Sequence, residues 1–215
     1  MKAKGAIRGK HARSFAKRAN KEDWIVSVEK YLLPELNLNK RMKIVDFATG
    51  SGNIIPFFNN KVKEFTAIDA SEEMIKILNE KFGNIKNLKI IKADISDVPL
   101  LSNKYDAVIM KFALHHIFNA DPVIKEAYRI LKKGGMFFII DPVFEGNFFD
   151  RIKVQFIRLG KTIRKGYQEL FCRYRNQKEV NDMLLRNGFK VLKKTNVGGT
   201  KTYNYFTDYM FMAKK

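Results

Sequence analysis

The nine residues VDFATGSGN, 45–53, run from an apolar stretch through an acid into a turn that holds two glycines. A carboxylate on a strand, followed four to six residues later by bare backbone, suits a polar ligand held at a strand edge. Gly50 and Gly52 allow a tight turn and close backbone approach. A helix expected from about Asn53 would add free N–H groups and the positive end of its dipole.

Working outward, short apolar runs recur as KIVDFA (43–48), FTAID (65–69), LKIIKAD (88–94), YDAVIMKF (105–112) and MFFIID (136–141). Helical patterns separate them. Ahead of the first, Ile25, Val28 and Leu32 predict a helix that Pro34 should end. Ser71 is a cap for the helix after the second run, with Glu72 and Glu73 in its first turn and Gly83 past its end. Asp121 and Pro122 read as N-cap and first residue of another helix, with Lys132, Lys133 and Gly134 closing it. Strands alternating with helices predict an α/β fold: a parallel sheet with helices on both faces.

After residue 142 the rhythm breaks. Residues 145–175 are basic and aromatic, a helix is expected from Asn176 to Gly188, and two strand-like runs, 189–197 and 205–214, could pair as an antiparallel hairpin. The expected organisation is a single domain: arm and helix (1–41), cofactor-binding core (42–141), basic insertion and helix (142–188) and hairpin (189–215).

No apolar run among the 215 residues is long enough to cross a bilayer, and no apolar segment follows the basic N-terminus, so a cytoplasmic protein is expected. Cys172 is the single cysteine, which excludes an intrachain disulfide, and no Cys/His cluster has zinc spacing; no metal is expected. The net charge of +19 is unevenly placed. Residues 1–21 carry eight bases and no acid, and residues 151–215 carry 16 bases against four acids, while the middle is near neutral. Nine of the eleven arginines lie in those flanks, which favours an anionic partner.

Asp46, Asp69 and Asp94 each fall in or just after a predicted strand, at the edge where open α/β sheets bind ligands. Three acids there suit a donor-rich nucleoside. Counting on from Gly50 and Gly52 reaches Ile55 where a dinucleotide fingerprint needs a third glycine, and no Gly-Lys-Ser/Thr follows. Dinucleotide and triphosphate are therefore disfavoured.

The blocks VDFATGSGN, AIDASEEMI, KADISDVP, YDAVIMKFALHHI and EAYRILKKGG resemble, in order, those of class I S-adenosylmethionine-dependent methyltransferases. They are most similar to the branch (methyltransferase type 11) holding the ubiquinone/menaquinone biosynthesis methyltransferases. The resemblance covers roughly 42–141. It implies a Rossmann-like, seven-stranded, mostly parallel sheet whose C-terminal hairpin supplies an antiparallel strand, and S-adenosyl-L-methionine as cofactor. By position, Asp46 and the backbone of Ala48, Thr49, Gly50, Gly52 and Asn53 would hold the methionine end. Asp69 would accept from the ribose, with Ala70 and Met74 beside the adenine; Asp94 would accept from the adenine amino group, with Ile95 against the ring and Lys111 near the amino-acid moiety. The family usually has glycine where this chain has Ala48, which is tolerable only if φ is negative there.

His115 and His116 follow the fourth strand and are the candidate catalytic bases. The basic flanks are expected to cover the methyl group, with Phe15, Arg18, Arg164, Tyr167, Arg173 and Tyr174 on the substrate side. The absence of an Asn-Pro-Pro-Tyr block and of a Pro-Cys setting for Cys172 argues against nucleobase amine and cytosine carbon acceptors. An oxygen, carbon or amine on a small acceptor remains: an acidic aromatic metabolite or a lipid-phase substrate presented at an anionic membrane. RNA methylation through the flanks is the alternative, and a non-catalytic nucleoside- or RNA-binding protein a second one. Oligomeric state is left open.

Overall fold

The computed structural model describes residues 22–165, 172–198 and 205–215, with the side chains of 22–24 and 161–165 outside that description. Seven strands form one sheet: β1 (Lys43–Phe47), β2 (Glu64–Asp69), β3 (Leu88–Lys92), β4 (Tyr105–Lys111), β5 (Leu131–Phe144), β6 (Lys190–Gly198) and β7 (Phe206–Lys214). Their order is β3-β2-β1-β4-β5-β7-β6. The first five are mutually parallel, and β7 runs antiparallel between β5 and β6. The predicted hairpin is therefore present, with its second strand inserted into the sheet.

The central strands are buried on both faces, so period-2 alternation sorts their side chains between two cores. On one face Ile44, Ala107, Ile109, Phe138, Ile140 and Met210 pack with Val28, Leu32 and Leu36 of the N-terminal helical segment and with Leu78. That segment comprises α1 (Glu22–Ser27), a widened π turn (Val28–Leu32) and α2 (Leu33–Leu36); Leu78 belongs to α3 (Glu72–Phe82). On the other face Val45, Phe47, Val108, Met110, Phe137 and Ile139 meet α4 (Asp121–Ile130) and α6 (Gln177–Arg186). The remaining helix, α5 (Phe148–Lys165), follows β5.

Several local expectations are corrected. No α-helix follows Gly52: a single 3₁₀ turn, Ile55–Phe57, fills that crossover, so no long helix dipole points at the glycine turn. Pro34 does not end the N-terminal segment, because it sits in the first turn of α2, where its missing N–H is tolerated; Asn37, at φ 44°, is the stop. Asp121 is the first residue of α4 rather than its cap, which is Ala120. The same helix ends at Ile130, and Lys132–Gly134 belong to a long β5 that bulges before Met136. The Ser71 cap stands as read: its Oγ accepts from the Met74 amide. The helix expected from Asn176 is present, and Asn176 caps it in a reciprocal capping box with Glu179.

Candidate active site

The strand order reverses between β2-β1 and β4-β5, and the carboxyl ends of β1 and β4 open the crevice where α/β sheets bind ligands. The structure brings most of the predicted residues to that edge. Asp46, Ala48, Thr49 and Gly50 stand on β1 or just after it, Asp69 and Ala70 at the end of β2, and Lys111 at the end of β4.

Asp69 organises the turn. Its Oδ2 accepts from the Gly50 amide at 2.9 Å, its Oδ1 from the Ser71 amide at 2.9 Å, and Thr49 N donates to the Ile68 carbonyl. The Ala70 amide bonds to the same carboxylate, which leaves about one of its roughly four acceptor positions for a hydroxyl. Asp46 is buried and accepts from the Thr49 hydroxyl. Burial pushes its carboxyl up to about 7, opposed by Thr49 and by Lys111. Burial likewise pulls the Lys111 ammonium down to about 7, with Asp46 and Asp208 holding it up. Strand parity puts Asp46 on β1, Lys111 on β4 and Asp208 on β7 on the same side of the sheet. A buried acid resisting ionisation beside a turn of backbone donors fits a ligand that brings both a cation and a carboxylate. S-adenosylmethionine is such a ligand.

The turn carries strain where a glycine is missing. Ala48 has φ 54°, so the condition under which alanine is readily accepted there is not met, and Phe112, one residue past β4, has φ 52°. A side chain in the left-handed region costs energy that glycine avoids, and strained residues of this kind cluster at functional sites. Gly52, at φ 80°, adopts the turn conformation that glycine allows, and packing makes a second demand on it. A Cβ there would lie 2.7 Å from side-chain carbons of Ile55, Leu78 and Phe82, so this glycine closes the packing behind the turn.

The outer cofactor residues are placed less tightly. Asp94 is exposed and accepts from Ser96 N and Oγ in a local turn, Ile95 packs on the core, Met74 is buried, and Asn53 accepts from the Ser51 hydroxyl.

Beyond β4 a 3₁₀ turn, Leu114–His116, delivers the two histidines. Their environments differ. His115 Nδ1 lies 3.0 Å from Asp141 Oδ1 at the end of β5, and its ring stacks on Tyr174 at 5.2 Å. His116 is held down at about 3 by burial, His115 and Arg158, and its Nδ1 lies 3.4 Å from Cys172 Sγ. Folding thus gathers His115, His116 and Cys172, whose ligand atoms lie within 4.8 Å, although no sequence spacing announced it. The neighbouring Arg158 opposes a metal cation there.

Of the predicted substrate-side residues, Tyr174 stacks on His115. Arg173 is partly committed to the Phe118 carbonyl and ring. Phe15, Arg18 and Tyr167 lie outside the described residues, as does the Arg164 side chain. Sequence reading missed Asp141, Arg158 and Arg175. Buried Arg175 donates to the carbonyls of Leu114, Ile117, Phe118 and Arg173, and so fixes the histidine turn. Arg158, 2 % exposed, donates to the Cys172 carbonyl and stacks over Tyr174. Its Nε has no partner, and no carboxylate among the described residues pairs with it.

The methyltransferase-domain family matches residues 45–139. The demethylmenaquinone methyltransferase of Staphylococcus aureus is 26% identical over 171 residues, 73% of this chain and 71% of that protein. A ubiquinone/menaquinone biosynthesis C-methyltransferase of Rhizobium rhizogenes is 28% identical over 179 residues, 73% and 68% of the two chains. Among solved structures, a SAM-dependent methyltransferase from Aquifex aeolicus superposes with a TM-score of 0.70 at 22% identity, covering 94% of this chain and 97% of that one. That last likeness is one of fold.

Proposed function

We propose that the chain is a class I S-adenosylmethionine-dependent methyltransferase similar to those of the ubiquinone/menaquinone branch, a reading supported by its methyltransferase-domain match and its relatives, and that it passes the cofactor's methyl group to a small anionic acceptor bearing an ionisable ring hydroxyl. The observation that carries this reading is Arg158, a buried guanidinium that no carboxylate among the described residues pairs with, set beside the His115–Asp141 pair. A buried charge without a counter-ion is costly, and an anionic acceptor would supply one. The names of the curated relatives agree with a quinone-type ring.

In this reading Asp46, Asp69, Lys111 and the 48–52 backbone hold the cofactor, which supplies an electrophilic methyl on a sulfonium. With Nδ1–H donated to Asp141, His115 keeps Nε2 as the nitrogen that can take the acceptor's hydroxyl proton. Arg158 stabilises the oxyanion so formed, and Tyr174 holds the imidazole plane. The electron-rich oxygen, or the ring carbon beside it, is then the nucleophile. For carbon attack, the proton on that ring carbon leaves to solvent as the ring becomes aromatic again, and His115 returns the first proton to the oxyanion, so one proton is released in all.

Transfer of label from methyl-labelled cofactor into fractionated cell extract tests this. Label should enter small aromatic or lipid solutes; label in RNA would replace the reading with RNA methylation. Arg158→Met sharpens the test. It should lower kcat/KM for the acceptor at least tenfold while leaving cofactor affinity intact, and the melting temperature should not fall, because the substitution removes a buried charge that no carboxylate among the described residues balances. Unchanged transfer by that variant would refute Arg158 as the anion's partner.

A further inference from the structure

The helix α5 (Phe148–Lys165) is amphipathic in the wrong sense for a helix that only covers a core. Its buried side chains, Val154 and Arg158, face inward, Arg158 toward Tyr174 and Cys172. At about 100° per residue, Phe148, Phe149, Ile152, Phe156 and Leu159 fall in one sector roughly opposite those two. Phe148, Phe149 and Phe156 are each at least 70% exposed, and Ile152 and Leu159 are about 40% exposed. A contiguous outward apolar face of this size marks an interaction surface.

We propose that the outer face of α5 seats the protein on an anionic lipid surface. Charge selects that occupant. The helix sequence carries six bases and one acid, and residues 151–215 as a whole are strongly basic. A second copy of the chain, or its own residues 1–21 with eight bases and no acid, would bring like charge against like. An apolar stripe of phenylalanines edged by Lys and Arg is the composition of helices that lie in the plane of a bilayer interface, with anionic headgroups meeting the bases. At about 27 Å long the helix would lie flat, its inner face still bearing Arg158 over the candidate site. This surface goes beyond the acceptor reading and does not depend on it; where both hold, the acceptor is taken from the lipid phase.

Flotation of the full chain with vesicles tests it, without cofactor or acceptor, so its outcome is separate from the transfer assay. Binding is expected to vesicles of phosphatidylcholine mixed with phosphatidylglycerol, weakly or not at all to phosphatidylcholine alone, and to fall with salt. Phe149→Ser/Phe156→Ser should reduce partitioning roughly tenfold or more while thermal unfolding and cofactor affinity stay unchanged, since both side chains are exposed. Three results would overturn the proposal: no binding to anionic vesicles, binding unaffected by the double substitution, or a wild-type dimer that the substitution turns into a monomer without altering lipid binding. The last would assign the face to a second copy.

Discussion

His115 Nδ1 and Asp141 Oδ1 lie 3.0 Å apart, although 26 positions separate the two residues. The pairing of β4 with β5 brings them together, because Lys111 stands opposite Ile140 in that register. A carboxylate on Nδ1 fixes the tautomer and ring orientation of a histidine base. His115→Ala is therefore expected to lower turnover at saturating cofactor by about 10²–10⁴, and Asp141→Asn by a smaller factor with a changed pH profile. Cofactor affinity, measured by calorimetry, should move little in either. Wild-type turnover and an unchanged pH profile in Asp141→Asn would make the pair a structural tie.

His116 is expected to behave differently. Burial first, and then the neighbouring His115 and Arg158, keep it neutral down to about pH 3, so it has no proton to exchange between pH 5 and 8. His116→Gln should leave the shape of the pH–rate curve unchanged over that range, whatever it does to stability. A lost inflection would show that His116 titrates in the reaction.

Ala48→Gly should stabilise the protein. The native φ of 54° costs an L-residue roughly 1–2 kcal/mol, while glycine adds about 0.4–1 kcal/mol of unfolded-state entropy. The expected balance is a gain of about 0.5–1 kcal/mol in urea unfolding. A loss would mean that the alanine methyl makes a packing contact worth more than the strain it imposes.

The sheet was legible because each central strand is buried on both faces and so reads as a continuous apolar run bounded by turn residues. Helix boundaries were less so. Pro34 falls inside a turn that follows a π widening, and the crossover after Gly52 holds a 3₁₀ turn with Pro56 in it instead of the expected α-helix. Asp46 and Asp69 announced themselves by position, yet the sign of φ at residue 48 is a property of the closed turn. Asp141, Arg158 and Arg175 share one reason for being missed. Their partners lie on other elements, and nothing in local pattern separates a buried arginine that grips carbonyls from a solvated one. The basic flank read as a single surface; the structure divides it between Arg175 in the scaffold, Arg158 at the site and the edges of an exposed helix.

Asp69→Ala should weaken cofactor binding by about 1.5–3 kcal/mol, the range for a hydrogen bond to a charged acceptor. The structure adds a second effect, since the same carboxylate holds the Gly50 and Ser71 amides. Asp69→Asn keeps one oxygen acceptor and separates the two. It should retain most of the fold stability that Asp69→Ala loses, yet still bind the cofactor more weakly. Equal affinity in wild type and both variants, by calorimetry, would remove Asp69 from the binding site.

Lys111 gives the cofactor-free protein an identifiable pH signature. Its folded pKa, lowered to about 7 by burial, lies below the unfolded value of about 10.4. Across that window the unfolded chain binds more protons, so stability rises with pH from about 7 toward 10. The slope is bounded at about 1.4 kcal/mol per pH unit for one proton. Asp46, raised to about 7, and Asp208, raised to about 6, act in the opposite sense. Their folded forms hold protons that the unfolded chain has released, so stability falls as pH rises from about 4 through those values. The three groups together place a minimum of stability near neutral pH. Lys111→Met should abolish the alkaline rise, and without the ammonium beside it Asp46 should titrate higher still, extending the acid limb past pH 7. Urea midpoints taken from pH 5 to 9 on both proteins read this directly, because every other titrating group is common to the pair. Parallel curves above pH 7 would mean that Lys111 keeps its proton in the fold, stabilised by Asp46 and Asp208 as a fully ionised cluster.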